Sequence, residues 1–287
     1  MIKQYTERLS DFMGSQGNFE EAQVIILGVP LEVTVSFRPG TRFGPQYIRS
    51  NSYGIEEYSI DQDRHLEEIS YYDAGDLALP LGNLGESLNL IKKAAAIVFR
   101  SRKRPFFMGG EHLVSLPLIE AAHAVYPDLA VVHFDAHADL RDDYLGQHLS
   151  HATVMRRVSE DIGPENLFQF GIRSGSREEV AFARSKTHTV FNRVLEPLID
   201  FSHSFNPQRP LYVSIDVDVL DPAFAPGTGT PEPGGISASE LLQAVRALHG
   251  LNIVGADLVE VSPPNDLHGV TSVLGAKIIR EALLSWW

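Results

Sequence analysis

The sequence predicts an α/β fold built on a parallel sheet with helices on both faces, and two observations carry that prediction. Short apolar runs recur along the whole chain, several of them apolar at consecutive positions rather than alternating, as expected of strands covered on both faces. Longer segments with helical spacing lie between them, and strand–helix alternation over the full length points to a parallel sheet with crossover helices. No linker-like stretch divides the 287 residues, so one domain over residues 1–287 is expected.

Taken in order, the strand candidates are residues 24–29 (VIILGV), 69–74 (ISYYDA), 105–110 (PFFMGG), 129–135 (LAVVHFD), 166–172 (NLFQFGI), 187–191 (THTVF), 211–217 (LYVSIDV) and 252–260 (NIVGADLVE). Helix candidates lie between and after them. Residues 86–101 carry Leu88, Ile91, Ala95 and Val98 close to a 3.6 period, and 113–125, 176–185, 237–248 and 270–285 read similarly. Ser237 precedes Glu240 by three, which marks a capped helix start. An open doubly wound sheet and a closed (β/α)₈ barrel both fit this pattern, and both place a site at the carboxyl ends of the strands.

Composition removes several function classes. With 24 Lys and Arg against 37 Asp and Glu the formal charge is −13, which disfavours nucleic acid and anionic membranes and is compatible with a cationic ligand. The absence of cysteine excludes disulfides, thiolate metal sites and a cysteine nucleophile. The N-terminal MIKQYTERLSDF has no apolar core of a secretory signal, and no run of about 18 apolar residues suggests a membrane span, so a cytoplasmic protein is expected.

Histidine is unevenly spread. Six of the 11 fall at residues 112–151, where even scatter would place about 1.5. Within VVHFDAHADL, Asp135, His137 and Asp139 follow at i, i+2 and i+4, a spacing that puts all three on one face of a strand and would splay them on a helix. In LYVSIDVDVLDP, Asp216 and Asp218 share a face at another strand end, where two adjacent carboxylates are costly to bury without a cation. The run FFMGGEHLVS ends a third strand in Gly109 and Gly110, which permit a sharp turn before Glu111 and His112. His112, Asp135, His137, Asp139, Asp216 and Asp218 exceed the four ligands of a closed zinc site and suit two metals sharing bridging carboxylates. Oxygen-rich ligation with some nitrogen and no sulfur favours Mn²⁺ over Zn²⁺.

GGEH (109–112), DAHAD (135–139) and SIDVDVLDP (214–222) resemble the three signatures of the ureohydrolase (arginase/agmatinase) family. The likeness extends to VSFRPGTRFGPQYIR (35–49), APGTGTPEPGG (225–235) and ADLVEVSPPND (256–266), and so spans almost the whole chain. It implies a three-layer α/β/α fold around a parallel eight-stranded sheet, which removes the barrel. It implies two Mn²⁺ ions, one held by His112, Asp135, Asp139 and Asp216, the other by Asp135, His137, Asp216 and Asp218. It also implies that Glu260 grips the substrate guanidinium, that Asp139 transfers a proton, and that His151 exchanges protons with bulk water. Divalent ions lower the pKa of a shared water enough to make a nucleophile near neutral pH. Trimers or hexamers of the chain are implied as well.

Two departures from the family pattern stand out: Glu111 replaces the usual Asp of the first signature, and Ala152 follows His151 where many members carry Gly. Little effect is expected from Glu111, which is not a ligand. His133 is expected to support the ligands or fill the core, Arg38, Pro39 and Gly40 to shape the cleft rim, and Trp286 and Trp287 to pack or form an interface. The loop 140–151 (LRDDYLGQHLSH) lacks the Ser/Asn-rich set that arginases use for a carboxylate. Its Asp142 and Asp143 would repel a carboxylate and accept an ammonium. The loop resembles agmatinases, which implies agmatine as substrate, with arginine, guanidinobutyrate, guanidinopropionate and formiminoglutamate as alternatives and a non-catalytic metal scaffold as the reading from another class.

Overall fold

All eight apolar runs form strands of one sheet; seven are buried on both faces along most of their length, and the run 187–191 forms an edge strand that is only partly buried. The computed structural model describes residues 2–7, 10–15 and 17–287; Met1, Arg8 and Leu9 of the N-terminal stretch, and Gln16, lie outside the described residues. The strands are β1 (Thr6–Glu7), β2 (Val24–Val29), β3 (Tyr58–Ser59), β4 (Arg64–His65), β5 (Tyr71–Leu77), β6 (Arg104–Gly109), β7 (Ala130–Phe134), β8 (Leu167–Ile172), β9 (His188–Phe191), β10 (Leu211–Asp216) and β11 (Ile253–Val259). The helices are α1 (Gly44–Ser52), α2 (Leu84–Arg100), α3 (Ser115–His123), α4 (Val154–Ile162), α5 (Arg177–Lys186), α6 (Leu195–Ser204), α7 (Ala238–Ala247) and α8 (Val270–Trp286).

The main sheet runs β1-β5-β2-β6-β11-β10-β7-β8-β9 among the described residues, open at both edges, so it is not a barrel. It therefore holds nine strands rather than the expected eight. The extra strand, β1, pairs antiparallel with β5 through Thr6 and Leu77, while the other neighbours are parallel. Two residues are too few to show an apolar period, which is why the sequence does not announce it. β3 and β4 form a separate two-stranded ribbon.

Alternation along each strand divides the core between two layers. Val24 and Ile26 join Val213, Ile215 and Leu258 under α6, α7 and α8, whereas Ile25 and Leu27 join Phe107, Val131 and Val254 under α2, α3 and α4. Three helices, α1, α4 and α6, come in addition to those read from the sequence. α1 carries Gly44, Pro45 and Asn51, poor helix formers, and is held from outside by Arg49, which donates to both oxygens of buried Asp73 on β5 at 2.7 and 3.0 Å. Ser237 caps α7, accepting from the Glu240 N–H at 3.1 Å. Trp286 is a packing residue: its ring stacks 6.4 Å from Phe106 and its Nε1–H donates to the Val245 carbonyl at 2.8 Å. No helix among the described residues is long and apolar enough to cross a membrane.

Candidate active site

The carboxyl ends of β6, β11, β10 and β7 lie side by side in the middle of the sheet, and each delivers an ionisable side chain. Glu111 and His112 follow β6, Asp135 follows β7, Asp216 ends β10, and Glu260 follows β11. Gly110 makes the first of these turns possible, since a Cβ there would sit 2.0 Å from the Leu31 carbonyl oxygen. The expected single-face rows are replaced by turns. β7 stops at Phe134, Asp139 adopts a left-handed φ of 53°, and Asp218 sits in the 3₁₀ turn Val217–Val219 rather than on the strand. Glu260 is likewise left-handed, with φ 62°. Such backbone is uncommon outside glycine and costs about 1–3 kcal/mol. Here the turn at Glu260 is held by its N–H on the Gly110 carbonyl at 2.9 Å.

These turns gather the carboxylates around two imidazoles. His112 Nδ1 lies 3.1 Å from Asp135 Oδ2, 3.2 Å from Asp139 Oδ2 and 3.2 Å from Asp216 Oδ2. His137 Nδ1 lies 3.0 Å from Asp218 Oδ2 and 3.5 Å from Asp135 Oδ1. Asp135 thus offers a different oxygen to each imidazole. His112 Nδ1 and Asp218 Oδ2 are buried and make no hydrogen bond. Burial, and then the charges of Asp218 and Asp135, drive the Asp216 carboxyl well above the ordinary range, and burial raises Asp218 too. Burial opposes charge on His112, but Asp135, Asp139 and Asp216 lift its pKa well above the histidine norm. Crowded buried carboxylates around unpaired donors call for a cation, and imidazole and carboxylate donors fit a divalent metal ion.

Buried polar groups fix the orientation of these donors. Ser214 Oγ donates to Asp257 Oδ1 at 2.7 Å, so it accepts from His112 Nε2–H at 3.1 Å and leaves Nδ1 as the free donor. Tyr212 donates to the other oxygen of Asp257 at 2.7 Å. Gln169 Nε2 donates to His133 Nδ1 at 3.0 Å, which places the His133 proton on Nε2, 2.8 Å from Asp135 Oδ2. His133 therefore supports Asp135. Replacing Ser214 by Ala should weaken divalent-metal binding by about 10- to 100-fold, measured by calorimetric titration of the metal-free protein. Unchanged affinity would remove Ser214 from this role.

A cavity of about 310 Å³ opens over the cluster, lined by His112, His137, Asp139, Asp216, His151 and Glu260 together with Ser36, Arg141, Tyr144, Ala152, Ser174, Gly175, Ser176, Glu179 and Thr230. Glu260 Oε1 accepts the His112 backbone N–H at 2.8 Å. Desolvation, with Glu111 adding negative charge, pushes its pKa up to about 8. Burial, then Asp135, raises Asp139 to about 7. Burial and the nearby imidazoles lower His151 to about 4, so its ring is neutral near pH 7 rather than half-protonated.

Asp142 and Asp143 do not line this cavity. Asp142 turns to Arg157, with Oδ1 2.5 Å from Nη2, and Asp143 accepts the Gly146 N–H at 2.9 Å. Besides Asp139, Asp216 and Glu260, the wall presents one further acidic residue, Glu179, which no site motif marks. It accepts from Leu140 N at 3.1 Å and Ser176 N at 2.7 Å, and lies 3.4 Å from Arg141 Nε. Its place three residues after Ser176, as a capping box, was its only local signal. Arg141 and Tyr144 carried none. Of the expected rim residues, Pro39 accepts through its carbonyl from Ser262 and Asn265, and Gly40 N donates to Glu32 at 2.6 Å, so they brace the loop, while Ser36 reaches the cavity.

Comparison with known proteins bears on the family of the chain. The arginase family model matches residues 22–285. An agmatinase of Halalkalibacterium halodurans is 49% identical over 278 residues, covering 96% of either chain, and the agmatinase of Bacillus subtilis strain 168 is 50% identical with the same coverage. The solved structure of proclavaminate amidino hydrolase from Streptomyces clavuligerus superposes with a TM-score of 0.89 at 32% identity, covering 98% of this chain and 97% of the other. The chain belongs to the arginase family.

Proposed function

We propose that this chain hydrolyses agmatine to putrescine and urea, with two Mn²⁺ ions held by His112, Asp135, His137, Asp139, Asp216 and Asp218. The observation that carries the reading is one cavity in which this donor set faces a buried carboxylate, Glu260, on a chain half identical to agmatinases along nearly its whole length. When bound, the ions supply Lewis acidity that makes water nucleophilic near neutral pH.

The chain's own groups supply the rest. Glu260 pairs with a planar guanidinium through two parallel N–H···O bonds and orients its carbon toward the cluster. Its turn is already formed, so no reorganisation is needed on binding. Asp139 takes the proton from the attacking water and returns it to the departing amine nitrogen as the C–N bond breaks. His151, neutral at rest, accepts a proton from the cavity and releases it to solvent.

The ammonium end of agmatine meets Glu179 and Tyr144 rather than Asp142 and Asp143. Arg141 favours a second reading, a guanidine bearing a carboxylate such as guanidinobutyrate, although its guanidinium already faces Glu179 and lies 5.2 Å from the Tyr144 ring centroid. The test is urea release by the Mn²⁺-loaded protein against a panel of guanidines. Agmatine should give the highest kcat/KM. Urea mainly from an acidic guanidine would transfer the assignment to that substrate, and no urea from any would end the hydrolase reading. The reading also carries a single domain over residues 1–287 and a cytoplasmic trimer or hexamer, whose mass sedimentation equilibrium measures.

A further inference from the structure

Glu111 is fully buried next to His112 in sequence, and its carboxylate is engaged by Val33 and Thr34. It accepts the backbone N–H of Val33 at 2.8 Å and of Thr34 at 2.7 Å through one oxygen, and the Thr34 hydroxyl at 2.9 Å through the other. The loop after β2 is thereby clamped to the turn after β6, across 77 residues of sequence. Thr34 Oγ1 in turn meets His151 twice: the His151 backbone N–H donates to it at 3.0 Å, and His151 Nδ1 lies 3.3 Å away.

The direction of these bonds decides the state of the imidazole. A hydroxyl has one proton to give. Thr34 gives its proton to a carboxylate, the stronger acceptor, so toward His151 its oxygen can only accept. A neutral imidazole beside an obligate acceptor carries its proton on the nitrogen facing it. His151 is therefore Nδ1–H, and its lone pair is on Nε2. That nitrogen lies 3.4 Å from Ser36 Oγ, another residue of the cavity wall. The edge of Tyr144, with ring centroids 5.6 Å apart and planes at 81°, limits rotation of the ring.

We propose that Thr34, oriented by Glu111, is a positioning residue that holds His151 in its Nδ1–H tautomer, so that Nε2 accepts protons from the cavity. The inference rests on the reading of His151 as the proton carrier, and it gives Glu111 a use other than metal binding.

The test is a double-mutant cycle on the Mn²⁺-loaded enzyme, with the guanidine that the native protein hydrolyses best. Thr34→Val keeps the shape and removes the hydroxyl; it should lower kcat by about 10- to 100-fold while KM and metal content stay within about twofold of native. Thr34→Ser keeps the hydroxyl and should restore kcat to within about threefold of native. In a His151→Asn background, Thr34→Val should cost less than about twofold more, because the group it orients is gone. Thr34→Ala carries the same expectations and replaces the valine variant if that one folds poorly, as judged by thermal unfolding. A native kcat in Thr34→Val, a loss accompanied by raised KM or lost metal, or an undiminished loss in the His151→Asn background would overturn the proposal. If His151→Asn alone keeps the native kcat, it is the proton-carrier reading that fails, and the positioning role fails with it.

Discussion

Replacing Asp216 by Ala should abolish tight divalent-metal binding and guanidine hydrolysis together. Asp216 ends β10 with Oδ2 3.2 Å from His112 Nδ1 and Oδ1 accepting the Asp218 N–H at 2.8 Å, so it touches both halves of the cluster. Metal that binds only the folded chain stabilises it by RT ln(1 + [L]/Kd), about 4 kcal/mol at a thousandfold excess over Kd. The variant should lose this gain. Its metal-free form should behave in the opposite way. The folded-state pKa of Asp216 lies well above the ordinary carboxylate value, so the native state holds a proton that the unfolded state gives up. Stability from that group is complete below about pH 4 and is lost as pH rises through the folded pKa. Removing Asp216 should then leave the metal-free protein at least as stable at pH 7 as the metal-free native chain. Elemental analysis and thermal unfolding with and without Mn²⁺ read both effects. Two tightly held ions per chain in the variant would refute the bridging assignment.

Glu260→Gln should lower kcat/KM by roughly 10²- to 10⁴-fold, the cost of about 3–5 kcal/mol expected when one partner of a buried charge pair is lost. Metal content should persist, since Glu260 lies outside the donor set. The pH dependence gives a second readout. Burial holds Glu260 protonated below about 8, and the protonated acid cannot pair with a cation. For native enzyme kcat/KM should climb with pH toward that value, with nearby divalent ions displacing the limb to lower pH because they favour the carboxylate. The glutamine variant should lack this limb. A native profile that falls between pH 6 and 8, or an unchanged kcat/KM in the variant, would remove Glu260 from substrate binding.

The two variants divide the site as the fold does. One side is a cluster of buried carboxylates crowded around two imidazoles, the other a strained turn set before substrate arrives. Both depend on the order β6-β11-β10-β7, which brings Glu260 to a residue 148 positions away.

Local pattern made the strands visible. The eight apolar runs need no tertiary information, because in seven of them burial on both faces is written residue by residue, and in 187–191 the β-branched and aromatic residues of an edge strand suffice. The donor types were also visible, since DAHAD and DVD are dense in groups that cannot be buried unpaired. Their arrangement was not. An i, i+2, i+4 spacing implies one face only while the chain stays extended, and the chain leaves the strand at Asp135 and turns left-handed at Asp139. Charge alone likewise points to Asp142, which Arg157 draws outward from α4, a helix whose buried Val154, Met155, Val158 and Ile162 do keep a helical period.

By itself, then, the sequence determined a parallel α/β sheet, the chemical set at its strand ends and the family that shares its motifs. Only the tertiary structure decided that Asp135 faces both imidazoles, that Glu179 and not Asp142 meets the cavity, and that Glu111 reaches His151 through Thr34. The physical reason is range. Hydrophobic periodicity and ligand spacing are properties of neighbours along the chain, whereas hydrogen-bond direction and burial are set by groups that the strand order brings together from far apart.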